Sequence, residues 1–192
     1  NPIHLRRINS AGITHCEQDW SWDTSRRPPV DHDLWTVFRG QGELRTGDRT
    51  WPLLPGDCFV LEPGGVYEGT HDPNHPLLVI HIHFEPSGSF PLGFHRRLIQ
   101  LGFLKEVLTR SVFSHHEGQT DAAVAWLVAA LCEIQAQERL ASRAGVEDGR
   151  ADAIDTICRR IYENPSAVYR VKKLAKAANL SPDHFSRLFR RL

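Results

Sequence analysis

Two stretches of this chain hold residue types whose spacing could do chemistry. The first is Val79-Ile80-His81-Ile82-His83-Phe84. On a β-strand His81 and His83 point to one face, and Ile80, Ile82 and Phe84 to the other. Two imidazoles on one face can bind a metal, but a tetrahedral site needs further ligands. His71 and His75, on the preceding loop, are the candidates, and hydrogen-bonded core histidines are the alternative. The second stretch is the run from Ser181 to Leu192. Wound as a helix, it buries Phe185, Leu188 and Phe189 and leaves Asp183, His184, Ser186, Arg187, Arg190 and Arg191 on or near the outer face. A guanidinium there matches the O6 and N7 edge of guanine or meets phosphate.

The element that must position this second stretch lies just before it. Val171, Leu174, Ala175 and Ala178 recur at helical spacing with lysines opposite. Asn179 tolerates a left-handed turn, Ser181 offers an N-cap oxygen, Pro182 fits the first helical position and Asp183 suits the positive end of the dipole. The pattern is a helix-turn-helix with its second helix set to enter a major groove. The charge segregates in the same sense. Residues 151–192 hold 9 Lys+Arg against 4 Asp+Glu, and the rest of the chain holds 14 against 19. A chain of zero net charge is therefore split into an acidic body and a basic tail, as expected if the tail alone meets nucleic acid.

The histidine stretch closes a region of short β segments cut by turns. Leu34–Arg39, Glu43–Thr46, Thr50–Leu54, Cys58–Leu61 and Leu77–Phe84 are separated by Gly40-Gln41-Gly42, Gly47-Asp48, Pro55-Gly56-Asp57 and Pro63-Gly64-Gly65. Strands at intervals of about ten residues predict an all-β sandwich or barrel. Residues 1–33 read as irregular. Trp22, Arg27, Trp35, Tyr67, His81 and His83, with Trp20 and Trp51 nearby, are the kind of groups that grip a small polar effector such as a sugar, by stacking and by fixed donors. No Ser-His-Asp order, phosphate loop or close carboxylate pair points to catalysis.

These motifs carry a resemblance. Ile161-Tyr162-Glu163-Asn164, Leu174-Ala175, Leu180-Ser181, Phe185-Ser186 and Phe189-Arg190 resemble the opening of an AraC-family DNA-binding domain. The order Gly-x-Gly, Pro-Gly-Asp, Pro-Gly resembles a cupin jelly roll, as the AraC sensor domain is. The resemblance implies an α+β chain that is mainly β at its N-terminal end: a cupin-like jelly-roll β-barrel, then helices, then a partial all-α helix-turn-helix domain. It places an effector-binding domain at 1–93, helices for dimerisation at 94–143, a linker at 144–150 and the first of two helix-turn-helix units at 151–192. The chain stops at Leu192 and holds no Met, so a fragment of a longer protein is expected. Laid on the cupin metal motifs, the first ligand pair falls at Arg27 and Pro29, the acidic position at Asp33 and the last histidine position at Tyr67. The expectation is therefore a barrel without metal or other cofactor, in a protein that is not an enzyme. The alternative is a metal-dependent cupin enzyme or a sugar-binding protein with structural C-terminal helices.

Between the two regions, Leu98, Leu101, Leu104 and Leu108 predict one helix, and a second runs from Asp121 to about Arg143. Val124, Leu127, Leu131 and Ile134 fit a and d positions for two heptads, which predicts a homodimer seam; a helix laid on the barrel is the other reading. Ala151 to Asn164 reads as the first helix of the tail. Cys16, Cys58, Cys132 and Cys158 are scattered, without metal or disulfide spacing, which fits reduced thiols in the cytoplasm. The longest apolar run, from Ala122 to Cys132, is too short to span a bilayer, and no signal peptide opens the chain. The expected partners are operator DNA, a small-molecule effector and a second copy, with no membrane.

Overall fold

The computed structural model describes residues 3–88, 90–145, 157–158, 161, 167–178 and 180–189. The fold is α+β and mainly β in its first part, in two compact units, Asn1–Ala136 and Gln137–Leu192. In the first unit, β1 (Leu5–His15), β8 (Leu78–Pro86), β3 (His32–Arg39), β6 (Asp57–Leu61) and β9 (His95–Arg97) form a five-stranded sheet in that spatial order. The second sheet runs β2 (Ser21–Asp23), β7 (Glu68–His71), β4 (Gly42–Thr46), β5 (Arg49–Leu53). Pro52 falls in β5, an edge strand, where its missing N–H is tolerated.

Strand parity divides the five-stranded sheet between two cores. Leu34, Cys58, Val60, Ile80, Ile82 and Phe84 on one face share a core with Leu104, Val107 and Leu108 of α1 (Leu101–His116) and with Leu127, Leu131 and Ile134 of α2 (Thr120–Gly145). Trp35, Val37, Phe59, Leu61 and Val79 on the other face share the barrel interior with Leu44 and Leu53 of the second sheet. Residues two apart line one face, so His81 and His83 lie on the Val79 side, inside the barrel.

The structure adds strands where the sequence reads as irregular or helical. β1 was hidden by register shifts between Leu5 and Arg7 and between Ile8 and Ser10, which break the alternation a strand normally shows. β9 lies beyond residue 93, within the region expected to be helical, and Leu98 precedes α1 instead of belonging to it. One carboxylate pins β9. Asp57 accepts the Leu54 N–H at 2.8 Å and meets His95 at 2.9 Å and Arg97 at 2.7 Å. Gly56 beside it has φ +96°, and a Cβ there would stand 2.3 Å from the Leu98 oxygen, so only glycine fits the turn.

The expected dimer seam is corrected. Leu127, Leu131 and Ile134 have no exposed surface, because they fill the chain's own core, and Val124 is half-buried against it. The heptad stripe was real, but its partners are α1 and the sheet. Leu127→Ala should therefore destabilise the first unit by about 2–5 kcal/mol, as buried leucines do. Leu140→Ala, at an exposed position on the same helix, should change stability by less than about 0.5 kcal/mol. Urea unfolding of the two variants checks this.

Candidate functional site

The polar groups inside the barrel come from β3, β8 and the turn before β3. In register, Asp33 of β3 stands opposite His83 of β8, and Trp35 opposite His81. Asp33, His81 and His83 each bring one potential ligand atom within 4.8 Å of the others. His83 Nδ1 donates to Asp31 Oδ1 at 2.8 Å, and its Nε2 stands 3.5 Å from Asp33 Oδ2. Asp31 also accepts from Asn9 Nδ2 at 2.6 Å. Room for the second imidazole comes from β1, where Gly12 pairs with His81. A Cβ on Gly12 would stand 2.6 Å from His81 Nε2.

The electrostatics follow from burial. Asp33 is 2% exposed, and its Oδ1 is buried without a hydrogen-bond partner. Burial pushes the Asp33 carboxyl up to about 6, against the pull of His83 and with a smaller push from Asp31. Burial, then the charge of His83, lowers the His81 imidazole and favours its neutral form. The cluster thus holds two imidazoles and two carboxylates, with one carboxylate oxygen left over.

The aromatic groups form a separate arrangement. Trp35 is near-parallel to Trp20 and to Trp22 at centroid distances of 6.5 and 6.2 Å, Trp22 stacks on Tyr67 at 6.2 Å, and Tyr67 stacks on Phe94 at 6.1 Å. Trp35 and Tyr67 are each only 4% exposed. The Tyr67 oxygen accepts the Glu62 N–H at 2.9 Å. Trp22, Trp35 and Tyr67 therefore stack on one another, where the sequence reading offered their faces to an effector. Arg27 is exposed, outside the buried stack and the histidine cluster. His71 and His75, the expected further ligands, go elsewhere. His71 packs edge-on against Trp20 and meets the Gln18 oxygen at 3.3 Å. His75 holds Asp72 at 2.9 Å and, with the Asn74 N–H and Gln41, brings that carboxyl down to about 2.

Sequence reasoning missed Asp31, and it placed Asp33 at the acidic cupin position without joining it to His81 and His83. The signal was present in Asp31-His32-Asp33, where alternate acidic residues enter an otherwise apolar strand.

In the second unit, α3 (Val171–Ala177) and α4 (Pro182–Phe189) pack through Ala175, Ala178 and Phe185, with Ile157, Ile161, Leu174 and Leu180 around them. Ser181 Oγ accepts the His184 N–H at 3.2 Å, the capping bond expected there. Asp183 and Arg187 are exposed and Ser186 is half-buried. Phe189, expected in the buried stripe, is 37% exposed and stacks on Phe185 at 5.4 Å. Of the linker expected at 144–150, residues 144 and 145 are the end of α2 and 146–150 lie outside the described residues, as do Asn179, Arg190, Arg191 and the side chain of Leu188. Among the described residues no helix is long and apolar enough to cross a membrane.

A two-sheet barrel with polar groups inside and helices on one outer face is an architecture of small-molecule sensor domains. The chain belongs to the family of the AraC-like ligand binding domain, whose model matches residues 7–148. No curated protein matches the chain. Among solved structures, it is similar to a putative glyoxylate induced protein from Pseudomonas aeruginosa, at 13% identity over 50% of this chain and 44% of that one, with a TM-score of 0.34. It is similar to YhaK from Escherichia coli at 17% identity over 50% of this chain and 46% of that one, with a TM-score of 0.35. The chain thus matches less than half the length of either protein. Similarity to an apo ToxT variant from Vibrio cholerae covers 97% of this chain and 77% of that one, at 8% identity and a TM-score of 0.49.

Asp31 is the acceptor for both Asn9 and His83, so its removal takes away the acceptor at His83 Nδ1 and leaves Asn9 Nδ2 with Glu85 Oε1, 3.2 Å away. Asp31→Ala should destabilise the first unit by about 1–3 kcal/mol. Asp72→Ala, at the exposed His75 pair, should have a far smaller effect, and urea unfolding at neutral pH compares the two.

Proposed function

We propose that the chain belongs to a ligand-responsive, sequence-specific DNA-binding transcription regulator of the AraC type. The observation that carries this reading is the helix pair of the second unit. Small buried Ala175 and Ala178 let α3 and α4 approach, and α4 starts on a serine cap with Asp183 and Arg187 exposed. Arg190 and Arg191 follow in sequence, in a tail that carries an excess of positive charge. The family membership of residues 7–148 supports the sensing half. The effector would shift the balance between two arrangements of the protein through a difference in its affinity for them. No catalytic step is assigned.

The effector is proposed to be a small polar molecule that meets the barrel near His81 and His83. A sugar is the finer proposal. It has less support from Trp22, Trp35 and Tyr67, whose faces stack on one another, than from the polar cluster beside them. Homodimerisation is proposed because repeated half-sites reward it, through a surface other than Leu127, Leu131 and Ile134. The second reading, a metal-dependent cupin enzyme, is favoured by one observation, the convergence of Asp33, His81 and His83.

The DNA reading is tested in a protein carrying the complete DNA-binding region, by selection from a randomised duplex library. Arg187→Ala should lose about 1–3 kcal/mol at the selected site and relax preference at one base position. Arg190→Ala should weaken all sequences alike and reduce the salt slope by about one. If the two variants are indistinguishable in both respects, α4 does not enter the groove as proposed.

A further inference from the structure

We propose that Asp33, His81 and His83 form a binding site for one divalent first-row transition metal ion inside the barrel. The site is the cluster proposed above to meet the effector, so its role in sensing rests on that reading, although the binding itself does not. It departs from the metal-free barrel expected from the sequence, and it uses none of the positions Arg27, Pro29 and Tyr67, which remain unsuited as ligands.

Four observations converge. The donor set is two imidazoles and a carboxylate, a combination suited to zinc, iron, cobalt or nickel rather than calcium or magnesium. The spacing fits. Two donors each about 2.1 Å from a tetrahedral ion stand about 3.4 Å apart, and His83 Nε2 lies 3.5 Å from Asp33 Oδ2. That separation is too long for a good hydrogen bond and close to a coordination edge. Next, Asp31 holds His83 from behind at 2.8 Å through Nδ1. A carboxylate that fixes the tautomer and orientation of a histidine is the usual outer partner of a metal-ligating imidazole. Asn9, in turn, holds Asp31.

The fourth observation is what the protein leaves unmatched. Asp33 is 2% exposed and its Oδ1 has no hydrogen-bond partner, a situation rare for a buried carboxylate unless something else satisfies it. A cation among the three side chains would do so. Three protein ligands leave at least one coordination position for water or for an oxygen donor of an effector.

The protein is stripped with a chelator, dialysed, and titrated with Zn²⁺ by calorimetry and with Co²⁺ by visible absorption. One ion per chain is expected, with Co²⁺ developing ligand-field bands. His83→Ala and Asp33→Asn should each weaken binding by more than about 100-fold, beyond the usual effect of an outer partner. Asp31→Asn removes only the carboxylate behind His83 and should weaken it about 10- to 100-fold. His75→Ala, on the Asp72 loop, should leave it unchanged. Circular dichroism melting identifies any variant that does not fold, and Asp33→Asn, nearly identical in size to the native residue, stands in for an unfolded His83→Ala. The proposal is overturned if no saturable one-ion binding occurs, or if binding survives in folded Asp33→Asn. If binding is absent but a sugar panel still shifts the melting temperature of stripped protein, the metal site falls and the effector reading stands. If one ion binds as described but Arg187→Ala selects DNA no differently from the native protein, the metal site stands and the DNA reading falls.

Discussion

The pairing of β8 between β1 and β3 is the constraint on which the first unit depends. Along β8, alternate residues serve opposite compartments, with Ile80, Ile82 and Phe84 in the helix-covered core and His81 and His83 in the barrel. A slip of one residue would exchange the two sets. It would drive imidazoles into the apolar core beneath α1 and α2, where they would find no partners, and would separate them from Asp33. The register that brings Asp33 opposite His83 is therefore the same register that closes the hydrophobic core. Fold and site are selected together, and neither can shift without the other.

That coupling explains which parts were legible in the sequence. β3, β4, β5, β6 and β8 were visible because glycine and proline turns bound them and their apolar residues are dense. β1 was not, because its register shifts scramble the period of two. β9 is three residues long, and its place depends on Asp57, a carboxylate distant in sequence. The stripe on α2 was read correctly as apolar and wrongly as a seam between copies. A heptad pattern reports that a face is buried, not what buries it.

The site was half legible for the same reason. Strand parity alone places His81 and His83 on one face. Their partners were sought on the loop before β8, at His71 and His75, because nearness in sequence is what a single chain displays. The actual partners come from Asp31-His32-Asp33 and reach the histidines only through cross-strand register. In the second unit the decisive signals were local: Ser181 as the cap, small residues where the helices meet, and a charged face beyond them. Local signals survive without tertiary context, and the described part of the helix pair departs from the reading at Val171 and Phe189, which are exposed.

The barrel interior, as proposed above, is a receiving site built by Asp33, His81 and His83. Its most direct test is anomalous diffraction from crystals of the protein soaked with Zn²⁺, with data collected on both sides of the zinc absorption edge. A single strong anomalous peak is expected in the barrel, about 2.1 Å from a donor atom of each of the three residues. A map with no peak there, or with zinc only on surface histidines such as His75, would contradict it.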